Sequence, residues 1–129
     1  MRTRLALISL LAAALTTVAV PSPSFAAGNN NNATIDGVIS IPADESAGCA
    51  SSEFCMFTGP TWSGRAFRMH RCGTYTMRNW NGYGSWTNSN IDGAHGYLKN
   101  RSGQVLVDSY PGQASRNFNF APVWFVTPC

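Results

Sequence analysis

Glycine and proline divide the second half of this 129-residue chain into pieces too short for ordinary α-helices. The chain contains 12 Gly and 7 Pro, and the longest stretch free of both after residue 48 is residues 49–58. A typical α-helix has about 11–12 residues. Short apolar or alternating runs separated by turn residues do fit, and they are typical of an all-β sandwich or barrel. We therefore predict one all-β domain over residues 49–129.

The predicted strands are short runs in which apolar residues alternate with polar ones or follow one another. In residues 65–71, Phe67 and Met69 fall on one face of a strand, with Arg68 and His70 on the other. The other runs are Phe54–Phe57, Gly96–Lys99, Val105–Val107 and Val123–Val126.

The first 26 residues have the three parts of a secretory signal peptide. Arg2 and Arg4 supply a positive start, Leu5–Val20 is apolar, and Ser24-Phe25-Ala26 ends in a small-x-small pattern that signal peptidase accepts. An uncleaved membrane anchor is the alternative, but an apolar run of about 16 residues is shorter than the ~20 that span a bilayer. We predict cleavage after Ala26 and a secreted, extracellular protein.

Removal of the leader leaves a chain that is close to neutral. The full chain has nine basic and six acidic residues, and the leader carries two of the basic ones. A nucleic-acid-binding protein would show clustered Lys and Arg instead. We expect no nucleic-acid partner, no membrane association after cleavage, and a monomer.

Residues 27–48 differ in composition from the rest of the mature chain. Gly28–Asn32 is a low-complexity run, and a short strand is an option only at Val38–Ile41. We predict a flexible, Asn-rich N-terminal arm that precedes the domain. Both a simple tether and a functional arm are compatible with this composition.

The four cysteines, Cys49, Cys55, Cys72 and Cys129, indicate two disulfides. An even number of cysteines in a small secreted domain is typical of a disulfide framework, and three pairings are open. Cys49 and Cys55 are close enough in sequence to close a short loop, and Cys72 would then bond to Cys129. Zinc sites use closely spaced Cys-x-x-Cys pairs, which this sequence lacks. A catalytic thiol is disfavoured because an oxidising compartment would oxidise it.

Two segments share a spacing of an aromatic or apolar residue, four residues, an aromatic residue, one residue and glycine. The first segment places Phe57, Trp62 and Gly64 in these positions, and the second places Val105, Tyr110 and Gly112 there. This pattern resembles the βγ-crystallin Greek-key motif, in which a folded-over hairpin is held by a later serine hydroxyl. Ser85 stands where that serine is expected. An accidental occurrence of aromatics and glycines is the alternative.

The order of further motifs resembles one family within this fold. A Cys-x5-Cys pair is followed by Phe-Cys-x-Phe-Thr-Gly-x-x-Trp-Ser-Gly-Arg, Arg-Cys-Gly-Thr-Tyr and Gly-Ser-Trp-Thr-Asn. The chain looks like the secreted bacterial peptidase inhibitors with a βγ-crystallin fold, whose founding member inhibits metalloproteinases. The resemblance covers residues 49–100 well and 101–129 loosely. It implies a Greek-key sandwich that inhibits a secreted peptidase. The founding inhibitor presents its reactive bond in a second short disulfide loop, which this sequence lacks, so no reactive bond is assigned.

Calcium binding is the other property that the resemblance suggests. The calcium-binding pattern of this fold is Asn/Asp-Asn/Asp-x-x-Ser/Thr-Ser, and only Asn81 and Ser85 match it in residues 80–85. No carboxylate lies in that window to supply the oxygen ligands that calcium prefers. We expect no cofactor and no metal, with Asn81 and Ser85 as weak calcium candidates.

No catalytic motif frames the polar residues of the chain. His70 and His95 are the only histidines, and no nucleophile elbow or metal-binding motif accompanies them. We expect a protein that is not an enzyme. Among the aromatic residues, Trp62 and Trp86 match core positions, whereas Trp80 and Tyr83 are the best candidates for a binding surface.

Three functions therefore stay open. The first is inhibition of an extracellular peptidase, with a metalloendopeptidase as the expected target. The second is a binding module for a glycan or a cell surface that would use Trp80 and Tyr83. The third is a structural protein that binds calcium weakly.

Overall fold

The computed structural model of the protein describes residues 28–46 and 48–129, and the predicted leader and its cleavage after Ala26 lie outside these residues. The described chain forms ten strands and one 3₁₀ turn at Ala43–Glu45, with no α-helix. The strands are β1 (Thr34–Ile35), β2 (Ser40–Pro42), β3 (Glu53–Gly59), β4 (Ser63–Met69), β5 (Tyr75–Arg78), β6 (Tyr83–Ser89), β7 (Gly96–Lys99), β8 (Val105–Ser109), β9 (Ala114–Asn119) and β10 (Phe125–Thr127). The predicted all-β fold is confirmed. No helix in the described ranges is long and apolar enough to span a bilayer.

The strands form two five-stranded sheets in which every pairing between strands is antiparallel. The first sheet has the order β2-β4-β3-β6-β9 and the second has the order β1-β5-β10-β7-β8. From β3 onward the chain consists of two successive four-strand units. Each unit gives its third strand, β5 or β9, to the sheet of the other unit. Neither unit can therefore complete its sheet alone.

The main core lies between the two sheets and is rich in aromatic and sulfur-containing side chains. Phe67 and Met69 of β4 are buried in it, whereas His70 is exposed, as the alternation in the sequence predicts. Strand β3 is buried on both faces, because Phe54 and Met56 enter this core while Cys55 and Phe57 pack in a second cluster on the outer side. Burial on two faces explains why residues 54–57 are continuously apolar.

Both predicted disulfides are confirmed. Cys49 bonds to Cys55 with a Cα–Cα distance of 5.8 Å, and Cys72 bonds to Cys129 with a Cα–Cα distance of 5.0 Å. The second bond ties the end of the chain to the segment before β5. Cross-links over long loops restrict the unfolded chain most, so the Cys72–Cys129 bond is expected to contribute about 4 kcal/mol.

The prediction that residues 27–48 form an arm outside the domain is wrong for the residues that the structure describes. Strand β1 pairs with β5 in the second sheet and β2 pairs with β4 in the first, so the segment bridges both sheets. Ala33 and Ile35 are buried in the main core. The strand option at Val38–Ile41 is met only in part, since β2 covers Ser40–Pro42.

A buried asparagine in this segment explains how such a polar sequence docks. Asn30 is 2% exposed, and its Oδ1 accepts the N–H of Gly82 at 2.8 Å. Its Nδ2 lies 3.1 Å from the carbonyl oxygen of Thr58 and 3.2 Å from those of Gly82 and Tyr83. The amide thus joins the end of β3 to the start of β6 and gives the buried Gly82 N–H its partner. Composition alone does not separate this asparagine from its exposed neighbours.

We predict that Asn30→Ala lowers the free energy of unfolding by about 2 kcal/mol or more, because it leaves the buried Gly82 N–H without its partner and removes the side-chain bonds to three carbonyls. Chemical denaturation measures this change. Asn31→Ala is the matched control: Asn31 is exposed, and its substitution should change stability by no more than about 0.5 kcal/mol. Equal stability of the two variants would contradict the structural role of Asn30.

Candidate functional site

The hairpin between β3 and β4 brings together the residues of the first motif. The ring of Trp62 lies edge-on against Phe57, with centroids 5.6 Å apart. Gly64 has φ +80°, a region that side chains with a Cβ enter at a cost. Ser85 is fully buried, and its Oγ accepts the Trp62 N–H at 2.9 Å and donates to the Gly59 carbonyl at 2.8 Å. The first motif therefore holds the scaffold together and presents no free chemical group.

The second copy of the motif is not a folded hairpin. Tyr110 and Val105 are both about half exposed, and Tyr110 follows β8 where the chain crosses from the second sheet to the first. Only Gly112 behaves as predicted, with φ +87°. The spacing recurs here without the hairpin because the residues on either side of the turn belong to different sheets.

In the second four-strand unit, the hairpin between β7 and β8 takes the place of the β3–β4 hairpin. Its turn is stabilised by a different side chain. Its turn, residues 100–104, is held by Asn100, whose Oδ1 accepts the N–H groups of Ser102 at 3.1 Å and Gln104 at 2.9 Å. Gly103 supplies the positive φ of +84°. Residues 101–106 are all exposed, the longest such run among the described residues. An ordered turn thus displays this segment at the surface.

The calcium candidates do not form an open site. Both hydrogen bonds of the Ser85 hydroxyl go to the β3–β4 hairpin, and Asn81 is exposed. Gly84 occupies a position where the pattern requires a hydroxyl residue. The nearby carbonyls of Thr58, Gly82 and Tyr83 converge on the Asn30 amide. Ser85 therefore bonds the hairpin, and the nearby carbonyl oxygens that could bind a cation already accept hydrogen bonds.

One other group of potential metal ligands occurs in the described ranges, and it consists of Cys49, Glu53 and Cys55. The two sulfurs are bonded to each other, so neither is a thiolate that could bind a metal. Glu53 is engaged by Arg68, with Nε–Oε2 and Nη2–Oε1 distances of 2.8 and 3.1 Å. This cluster therefore consists of a disulfide and an ion pair that stabilise the fold.

The predicted binding surface of Trp80 and Tyr83 is wrong for Trp80. Its indole is 3% exposed and packs against Phe67 and Phe120, and its Nε1 donates to the Thr34 carbonyl at 3.0 Å. Tyr83 is 47% exposed on β6. Trp80 is bonded to the N-terminal segment, which the composition of residues 27–48 predicts to lie outside the domain.

The structure instead brings other aromatic residues together on the second sheet. His95 Nδ1 lies 2.7 Å from Asp108 Oδ1, and the His95 ring is 4.1 Å from the ring of Tyr110 and 6.0 Å from that of Tyr97. The serine next to Asp108, Ser109, is fully buried and donates to the Gly96 carbonyl. Its hydroxyl is therefore not available to the His–Asp pair as a nucleophile.

A second exposed feature joins β1 to β2. Ile39 is 88% exposed, more than any other large apolar side chain of the described residues. The turn that precedes it is ordered by backbone bonds, since the Asp36 N–H donates to the Thr76 carbonyl at 2.9 Å and the Val38 N–H to the Ile35 carbonyl at 3.0 Å. Sequence reasoning missed Ile39 because the run Val38–Ile41 resembles the start of a buried strand.

No protein family, no curated protein and no solved structure was found to match this chain.

We predict that Ser85→Ala lowers the free energy of unfolding by about 1–3 kcal/mol, because the Trp62 N–H and the Gly59 carbonyl both lose a buried partner. Denaturant titration measures the loss. Ser51→Ala, at an exposed position, serves as the control and should change stability by no more than about 0.5 kcal/mol. If both variants unfold at the same denaturant concentration as the parent, Ser85 does not hold the hairpin.

A pair of glycines separates backbone strain from steric collision. Gly64 and Gly112 have φ +80° and +87°, but a Cβ at Gly64 would collide with Thr58 Oγ1, whereas a Cβ at Gly112 would meet nothing within 4 Å. In both Gly→Ala variants the positive φ should lower the free energy of unfolding by about 1 kcal/mol. We predict that Gly64→Ala loses at least ~1 kcal/mol more than Gly112→Ala, since overpacking adds to the strain. Equal losses would show that the hairpin absorbs the extra methyl group.

Proposed function

We propose that this protein is a secreted inhibitor of an extracellular endopeptidase, and that its target is a zinc metalloendopeptidase. The observation that carries the proposal is the order of its exposed loops. The turns at residues 36–39 and 100–104 are both held by internal hydrogen bonds, on a scaffold closed by two disulfides. A loop that is already in its bound conformation loses little entropy when it enters a cleft, and this raises affinity.

Several features support a Greek-key scaffold of the βγ-crystallin type for this inhibitor. Each four-strand unit exchanges its third strand with the other unit, and Ser85 bonds the folded hairpin of the first unit. The leader-like sequence and the disulfides support secretion. The resemblance to the secreted bacterial peptidase inhibitors supplies the target class. We further propose that the protein is monomeric and has no catalytic activity of its own.

A binding module for glycans or cell surfaces is the second candidate. The observation that favours it is the group of Tyr97, His95 and Tyr110 beside Asp108, because aromatic rings flanked by hydrogen-bonding groups suit ligands that are both apolar and polar. This group replaces Trp80 as the candidate surface.

Titration of the protein secreted into culture medium against thermolysin-like, subtilisin-like and papain-like enzymes tests the proposal. We predict 1:1 inhibition of the thermolysin-like enzyme. Protein that has been reduced, alkylated and desalted should inhibit at least about tenfold more weakly, because its loops lose their order. A lack of inhibition at micromolar concentrations in all three assays would contradict the proposed function and favour the surface-binding candidate.

A further inference from the structure

The exposed side chain of Ile39 lies on a segment that is clamped at both ends. The next most exposed large apolar side chain among the described residues, Tyr110, is 53% exposed, against 88% for Ile39. A single exposed apolar residue needs no explanation in itself. Ile39 differs from other exposed apolar residues because side-chain contacts on both sides of it fix the backbone at its position.

On the N-terminal side the clamp is the ion pair between Asp36 and Arg78. Arg78 Nε lies 3.0 Å from Asp36 Oδ1, and Arg78 Nη2 lies 2.9 Å from Asp36 Oδ2. Two parallel bonds of this kind fix the direction of a carboxylate as well as its position. The hydrogen bond from Arg78 and its positive charge lower the pKa of Asp36 from its ordinary value. The clamp is therefore complete at neutral pH and is lost only when the pH falls through this lowered pKa.

On the C-terminal side the clamp is Arg65. Its Nε donates to Ser40 Oγ and its Nη2 donates to the Ser40 carbonyl, both at 2.7 Å. Ser40 also begins β2, which pairs with β4 at the edge of the first sheet. Ile39 thus leads directly into an edge strand, and a second chain can add to such an edge through backbone hydrogen bonds.

We infer that residues 36–42 are the segment that enters the peptidase cleft, with Ile39 as the side chain that fills an apolar subsite; this inference rests on the proposed function. The segment is an ordered turn that projects one apolar side chain and leads into an edge strand, and a strand of a partner can pair with such an edge. An aliphatic side chain suits an apolar subsite and cannot neutralise the buried acid of a subsite that selects basic residues. The target is accordingly an endopeptidase that selects aliphatic residues.

The surroundings of Ile39 form a cleft and carry charges of both signs. A cleft of about 330 Å³ beside Ile39 is lined by His70, Arg71 and Tyr75, among other residues. Four arginines, at positions 65, 68, 71 and 78, lie around the segment, and four carboxylates, at positions 36, 44, 45 and 53, lie in it or beside it. These charges balance, so recognition depends on the projecting aliphatic side chain.

A second copy of this chain is a poorer occupant. A stable interface between copies needs about 1,000 Å² of complementary surface. Ile39 is the one large exposed apolar side chain of the described residues that lies in residues 36–42.

The decisive experiment compares Ile39→Asp with Ile91→Asp in protein secreted into culture medium. Ile91 is also exposed, at 50%, so both variants should fold like the parent, which circular dichroism and thermal unfolding verify. We expect Ile39→Asp to raise the inhibition constant for the thermolysin-like enzyme about 30-fold or more, as loss of a hot-spot side chain does. Ile91→Asp should change it less than about threefold, and Ile39→Leu should retain inhibition.

The outcomes separate this inference from the proposed function. Inhibition by the parent that Ile39→Asp leaves unchanged would overturn the inference and keep the proposed function. If the parent protein inhibits none of the three enzymes, both the inference and the proposed function are wrong. Concentration-dependent dimers that disappear in Ile39→Asp would identify a second copy as the occupant and would also overturn the inference.

Arg78→Ala tests the ion-pair clamp without changing Ile39. Loss of the Asp36–Arg78 pair should loosen the segment and convert the inhibitor into a substrate. Mass spectrometry should then detect cleavage within residues 36–42 at least about tenfold faster than in the parent. Arg101→Ala, which removes an arginine stacked on Trp124 elsewhere on the surface, is the control and should remain uncut. Cleavage of Arg78→Ala only outside residues 36–42 would overturn the assignment of this segment.

Discussion

The buried indole of Trp80 holds together parts of the chain that are distant in sequence. Its ring lies 5.4 Å from that of Phe67 in the first sheet and 4.8 Å from that of Phe120 after β9, and its Nε1 bonds to Thr34 in β1 of the second sheet. Loss of such a side chain typically costs about 3–5 kcal/mol. One residue therefore couples the two sheets to the N-terminal segment.

The position of the exposed Ile39 depends on this coupling. The N-terminal segment is anchored first by the Asn30 amide, then by β1 against β5, and finally by β2 against β4. Ile39 lies between the last two anchors, where Arg78 and Arg65 hold the chain on either side. A segment of so few apolar residues would not order itself, because its burial could not offset the lost chain entropy. The folded domain supplies the missing contacts.

The two candidate binding surfaces differ in chemistry and in place. The clamped segment offers one projecting aliphatic side chain, which suits an apolar subsite. The group of Tyr97, His95 and Tyr110 offers ring faces beside a carboxylate, which suits a ligand with hydroxyl groups. The first surface lies at the β2 edge of the first sheet, and the second lies at the start of β7 and the end of β8 in the second sheet. Substitutions in one can therefore leave the other intact.

The sequence by itself determined the all-β class and the core face of β4 and predicted the two disulfide pairs among three possible pairings, whereas the hairpin bonded by Ser85 was expected from the resemblance of the first motif to the βγ-crystallin pattern. These features depend on local spacing: the frequency of glycine and proline, the alternation of side chains along a strand, and the distance between cysteines. Only the tertiary structure decided that Asn30 and Trp80 are buried, that Tyr110 is exposed, and that Ile39 projects from a clamped loop. Each of these depends on which distant segment covers a residue, and the exchange of strands between the sheets brings together segments that local patterns cannot pair.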